Sequence, residues 1–203
     1  MSYRDFRLSD VVKTFSLVTS VGARTFIDRP PVRPSDHLVE TLRLCAPLGL
    51  ASANEKARSE FIVAPVLAEL TRLRPAAVGL FSGVELSVDA ASGLTGICDF
   101  LFSLGPQQLF VEAPIVTLVE AKKEDLAGGQ GQCAAEMVGA RLFNERAGNA
   151  IHTIYGAVTT GTMWQFMSLS GVTLSVDLDE YGIHEIDRIL GILSFMISSQ
   201  ASP

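Results

Sequence analysis

One short stretch of this chain sets two opposite charges where a buried strand should end. Pro114 is followed by Ile115-Val116-Thr117-Leu118-Val119, a β-branched apolar run typical of a central strand covered on both faces, and then by Glu120-Ala121-Lys122. A period of two puts Glu120 and Lys122 on one face with Ala121 opposite, so a carboxylate and an ammonium emerge together. Upstream, Asp99 is embedded in Gly96-Ile97-Cys98-Asp99-Phe100-Leu101, an otherwise apolar segment. If the two strands are neighbours, Asp99 approaches Glu120. Two carboxylates forced together repel unless a cation lies between them, and hard oxygen ligands suit Mg2+ or Mn2+ better than zinc. An ammonium beside such a site can hold a water or stabilise charge on a phosphate in flight. The plainer alternative is a strand-end acid at Asp99 and a surface ion pair of small energetic weight between Glu120 and Lys122.

Periodicity on either side suggests what holds these groups. Ser52-Ala53-Asn54-Glu55 opens a helix that runs to Leu73, with Phe61, Ile62, Val66, Leu70 and Leu73 as its buried stripe. Glu55 lies two turns before Ile62 and is expected on the core-facing side; Glu60 is displaced from it. Val84–Asp89 alternates as a half-buried strand, Ala91-Ser92-Gly93 turns, and residues 94–104 read as a second strand before the third at 115–122, a meander. Residues 126–146 form the next helix, carrying Gln130 and Gln132. Strands follow at 151–159 and 163–169, with an edge strand at 172–177 and a closing helix from Ile183 to Ser199. The helix after the third strand acts as a crossover, so the fold class is α/β. Residues 1–50 read as a helical and irregular extension with a short helix at 8–15 and a second from Asp36 that Pro47 and Gly49 end. Residues 51–203 make the α/β domain, the whole being one compact unit.

Composition narrows the function classes. The chain has 203 residues, 48% of them hydrophobic, and a net charge of -6. That excludes disorder, fibres and histone-like coating of nucleic acid. Residues 1–80 hold 11 basic and 8 acidic side chains and the remainder 5 and 14, so the Arg-rich first part is the candidate phosphate-facing wall. Cys45, Cys98 and Cys133 are odd in number and far apart, which suggests neither a disulfide framework nor a zinc ribbon. No apolar run reaches membrane-spanning length and no signal-peptide pattern follows the N-terminal charges, so a cytoplasmic location is expected. The closing helix is apolar nearly all round (Ile186, Ile189, Leu190, Ile192, Leu193, Phe195, Met196, Ile197), which suits a core or a homodimer contact. No P-loop, G-x-S-x-G or Rossmann fingerprint occurs.

Taken in order, Glu55, Asp99, Glu120-Ala121-Lys122 and Gln132 resemble the PD-(D/E)XK nuclease superfamily, which has the restriction-endonuclease-like fold, a three-layer core with a central mixed β-sheet flanked by helices. Asn54-Glu55-x-x-Arg58 leading to Ile62-x-x-Pro65-x-Leu67, and Val158-Thr159-Thr160-Gly161-x-x-Trp164, are similar to the N-terminal nuclease domain of type I restriction subunits. The likeness spans about residues 52–178, with Cys98 where the motif's name has proline. It implies a Mg2+- or Mn2+-dependent hydrolase, an endonuclease with DNA as its partner. Asp99, Glu120 and the Ala121 carbonyl would hold the metal, Lys122 would position the attacking water, Glu55 would assist, and Gln132 would orient the site or the scissile phosphate. Glu60 and Gln130 remain competing choices for Glu55 and Gln132. A non-catalytic or partner-dependent DNA-binding subunit of the same fold is the alternative.

Overall fold

The strand-forming runs on either side of the central helix pair into one seven-stranded mixed sheet in a computed structural model, which describes residues 1–22, 24–52, 54–74, 77–149 and 151–198. In chain order the elements are α1 (Leu8–Thr14), β1 (Val18–Val21), α2 (Asp36–Ala51), α3 (Glu55–Arg58), a π-helical segment (Ser59–Val63), α4 (Ala64–Leu73), β2 (Val78–Glu85), β3 (Ile97–Leu104), β4 (Ile115–Ala121), α5 (Leu126–Arg146), β5 (Thr153–Thr159), β6 (Met163–Ser170), β7 (Thr173–Gly182) and α6 (Ile186–Ser198). The spatial order is β1-β7-β6-β5-β4-β3-β2. β2, β3 and β4 form an antiparallel meander, and α5 carries the chain across to β5, which lies parallel to β4. β4 is buried along its whole length, as its apolar run requires.

Helices cover both faces of this sheet. On one side Cys133 and Met137 of α5 pack with Leu101, Leu118 and Val158 and with Tyr3, Phe6 and Val11 from the N-terminal segment. On the other, Val66 and Leu70 of α4 and Ile189 and Leu193 of α6 pack with Val119, Ala157, Trp164 and Phe166. Burying each such side chain contributes about 1.5–3 kcal/mol, which is what holds the layers together. The apolar residues of α6 that suggested a homodimer contact are thus used within the chain's own core. Its expected last residue, Ser199, lies outside the described residues, as does Ala53 at the start of the 52–73 helix.

Several boundaries differ from the sequence expectation for identifiable reasons. Residues 1–50 are not an appendage: Tyr3, Phe6, Val11, Leu17, Phe26 and Leu38 are buried, and β1 pairs in parallel with β7. The strand expected at the edge is therefore covered, and it runs on to Gly182. α2 passes through Pro47 to Ala51; Pro47 and Arg43 are both exposed, so water can satisfy the carbonyl that the proline leaves without a donor. The 52–73 helix is interrupted by a π-turn, where the Ala64 amide donates to Ser59 O and Pro65 has no N–H to continue the ordinary ladder. β2 begins earlier than expected, at Val78. Glycine-rich α5 is a weak helix by propensity, each glycine costing about 1 kcal/mol against alanine. It is needed for close approach: a Cβ on Gly131 would stand 2.3 Å from Phe6 O, and one on Gly129 would stand 2.5 Å from Val158 and 3.0 Å from the Lys122 stem. Among the described residues no helix is long and apolar enough to cross a membrane.

Candidate active site

The alternation of β4 sends Leu118, Glu120 and Lys122 toward α5, while Val119 and Ala121 face the α4–α6 core. Lys122 Nζ donates to Glu120 Oε1 at 2.5 Å, with the two side chains 22% and 2% exposed. The pairing of β3 with β4 stops at Phe100 and Val119, and just beyond it the Asp99 side chain takes over: its Oδ2 accepts the Ala121 amide at 2.9 Å. On the other flank the Lys122 amide donates to Thr159 O at 2.7 Å, so the backbone under both charges is fixed from two neighbouring strands.

α5 supplies the third wall. Gln132 Nε2 donates to Glu120 Oε2 at 2.9 Å and to Glu136 Oε1 at 3.1 Å, and its Oε1 accepts from Lys122 Nζ at 3.1 Å. Those partners fix the amide's orientation, since the reverse would set its NH2 against the ammonium and its carbonyl against two carboxyl groups. Gln130 goes elsewhere, donating to Gln165 Oε1 at 2.7 Å. Of the two competing glutamines, the structure brings Gln132 to Lys122.

Charge and burial are in tension here. Burial pushes the Glu120 carboxyl up to about 8, Asp99 adds to the rise, and Lys122 works against it. Glu136 is fully buried, which raises its carboxyl well above the usual range with Glu120 contributing; its Oε2 has no partner among the described residues. Desolvation disfavours the Lys122 ammonium, yet the Glu120 charge and hydrogen bond outweigh that and hold it above its usual value. More acid than base is therefore buried here, and the surroundings favour protons on Glu120 and Glu136.

Glu55 does not face the core; it is exposed on the rim of a cavity of about 250 Å3 that it shares with Ser59, Glu60, Ser82 and Asp99. Its charge acts on both Glu120 and Lys122. Glu60 is engaged by Lys56 at 2.8 Å. Among the described residues no three His, Cys, Asp or Glu side chains stand together as a ready metal cage. Asp99 and Glu120, whose charges act on each other, and the Ala121 carbonyl offer only oxygens, and a bound cation would favour the ionised form of Glu120 that burial disfavours. Donor chemistry therefore fits Mg2+ or Mn2+.

Glu136 has no place in the sequence motifs, and Arg58 appears there only as part of Asn54-Glu55-x-x-Arg58, with no role assigned. Glu136 lies one helical turn after Gln132 and so shares its face, but an acid reads as surface by type. Arg58 Nη1 donates to Thr160 O at 2.9 Å, tying α3 to the turn between β5 and β6. It lines a cavity of about 440 Å3 with Lys123, Asp125, Thr160, Thr162 and Glu180. Arg4 lines another, together with Gln132. Of the seven other arginines in residues 1–80, Arg24, Arg33, Arg43 and Arg72 are paired with Asp179, Asp36, Glu40 and Glu69, and Arg29 lies over the Phe195 ring. Trp164 is fully buried and stacked on Phe166, a core residue and no platform for a base. Comparison with protein-family models and with curated proteins returns no match for this chain.

Proposed function

We propose that this chain is a metal-dependent phosphodiesterase acting on DNA, with the restriction-endonuclease-like fold of the PD-(D/E)XK nucleases. The observation that carries this reading is the meeting of Asp99, Glu120, Lys122 and Gln132 at the end of one central strand, from positions spread over residues 99–132. Asp99, Glu120 and the Ala121 carbonyl would hold Mg2+ or Mn2+. Bound there, the ion supplies Lewis-acid polarisation of the phosphodiester and offsets the charge that develops on it. Lys122 keeps its proton and presents the ammonium to the attacking water or to a phosphate oxygen. Gln132 fixes the direction of that ammonium, and Glu55 orients a second water from the rim. Arg58 and Arg4 flank the site as phosphate contacts, and a cytoplasmic location belongs to the same reading.

Supercoiled plasmid incubated with the purified protein and Mg2+ or Mn2+ should be nicked, and Asp99→Ala and Lys122→Ala should abolish the nicking. Cleavage that persists in both variants would assign the activity to a contaminant and remove the proposal. A second reading, a subunit that cuts or binds only with a partner, is favoured by one observation: Glu124, Asp125 and Glu180 share one cavity with Arg58 and Lys123, which weakens attraction for phosphates there. Manganese binding by calorimetry without cleavage would select it.

A further inference from the structure

We propose that Glu136 is a positioning residue of this site, which acts through Gln132 to fix where the Lys122 ammonium points. Its importance for catalysis rests on the nuclease reading; its hold on Lys122 does not.

Glu136 sits on the inner face of α5 among Cys133, Met137 and Ala140, all fully buried. An apolar side chain there would pack without the desolvation cost of a carboxyl group. That cost is not recovered locally: Oε2 is unpartnered among the described residues, and Oε1 has one hydrogen bond, from Gln132 Nε2 at 3.1 Å. The single partner is the residue that touches both Glu120 and Lys122. Glu136 uses the second amide hydrogen of Gln132, so the NH2 group is committed to the two carboxyl groups and the carbonyl to Lys122. Without that acceptor the amide NH2 keeps only Glu120 on its donor side, and the carbonyl that receives the ammonium is held less firmly. A residue that touches neither substrate nor ion then changes the geometry of one that does, as outer-shell partners do in metal sites.

The chain has four lysines, which makes the test direct. The Nζ–H signal of Lys122 is observed by NMR in the metal-free protein and assigned by its loss in Lys122→Arg; nicking of supercoiled plasmid with Mn2+ is followed in parallel. Glu136→Leu should shift or broaden the Lys122 signal and lower kcat about tenfold or more with KM changed less than twofold. Glu136→Gln, which keeps an acceptor for Gln132, should restore both toward the wild-type values. If Glu136→Leu does not fold, Glu136→Met takes its place. An unchanged Lys122 signal in a folded apolar variant overturns the proposal. A wild-type protein that fails to nick refutes the nuclease reading instead, and the Lys122 signal still decides the positioning role.

Discussion

Two glutamines two residues apart on α5 lead to two very different polar networks. Gln132 joins Glu120, Lys122 and Glu136, a set with more buried acid than base and one oxygen left without a partner. Gln130 reaches Gln165, whose own Nε2 donates to the main-chain carbonyl of Asp177 at 3.0 Å. That second line is two amides and a carbonyl, matched donor to acceptor, and it ties α5 to β6 and β7. It gives what a buried polar network ordinarily gives, register and rigidity. The first line takes an acid–base pair largely out of water, which carries a desolvation cost. Buried polarity alone does not mark a functional site; unbalanced charge at an accessible strand end does.

The sharpest way to break this contrast is to truncate both glutamines. Gln132→Leu should lower plasmid nicking about 10–100-fold, the usual range for partners of metal-site residues. Gln130→Leu should leave the rate within twofold and lower stability by about 1–3 kcal/mol, because Gln165 Oε1 loses its donor inside the fold. Nicking rates and urea unfolding of the two variants give the answer, and equal loss of rate in both would erase the distinction.

What the sequence makes legible follows from the same physics. The run 115–119 forms its strand because β-branched apolar residues tolerate burial on both faces, and the 126–146 helix has the expected bounds. Glu120 and Lys122 share a face by simple alternation. β1 has four residues, too few for a period to show, and joins the sheet only through its partner β7. The end of β7 is masked by Leu178-Asp179-Glu180, whose charges read as loop. Glu136 is hidden because type-based reading sends acids to the surface, whereas its burial depends on α5 lying close against β5: a Cβ on Gly156 would stand 2.5 Å from Met137 Sδ.

pH separates the two networks by a smaller effect. Glu120 and Glu136 bind protons more tightly in the folded than in the unfolded chain, so their contribution to stability is complete below the usual carboxylate range and is lost as pH rises through their raised folded values, about 8 for Glu120. Each unit by which a folded carboxyl stays raised is worth about 1.4 kcal/mol. Between pH 5 and pH 8 the wild-type Tm should therefore fall more than that of Glu136→Gln, whereas Gln130→Leu should fall in parallel with wild type. Thermal melts across this range test it, and a Glu136→Gln curve parallel to wild type would place Glu136 outside the excess-charge network.

The smallest expected effect concerns the rim of the site and separates Arg58 from an arginine of the same half that is engaged elsewhere. Arg58 lines a cavity with Lys123 and Thr160, whereas Arg43 is exposed and bound bidentately by Glu40, at 2.7 and 2.8 Å. A phosphate contact releases condensed counterions, so each one adds about 0.9 to the slope of log affinity against log salt on duplex DNA. Arg58→Ala should weaken binding of a fluorescent duplex in Ca2+ several-fold and reduce that slope by about one. Arg43→Ala should change neither, because its guanidinium is already neutralised by a carboxylate on its own helix. Because Arg58 also holds Thr160 O, Arg58→Lys is the informative control. A lysine keeps the charge without the rigid guanidinium fork, so a restored salt slope identifies a phosphate contact, and an unrestored one assigns the loss to the displaced β5–β6 turn.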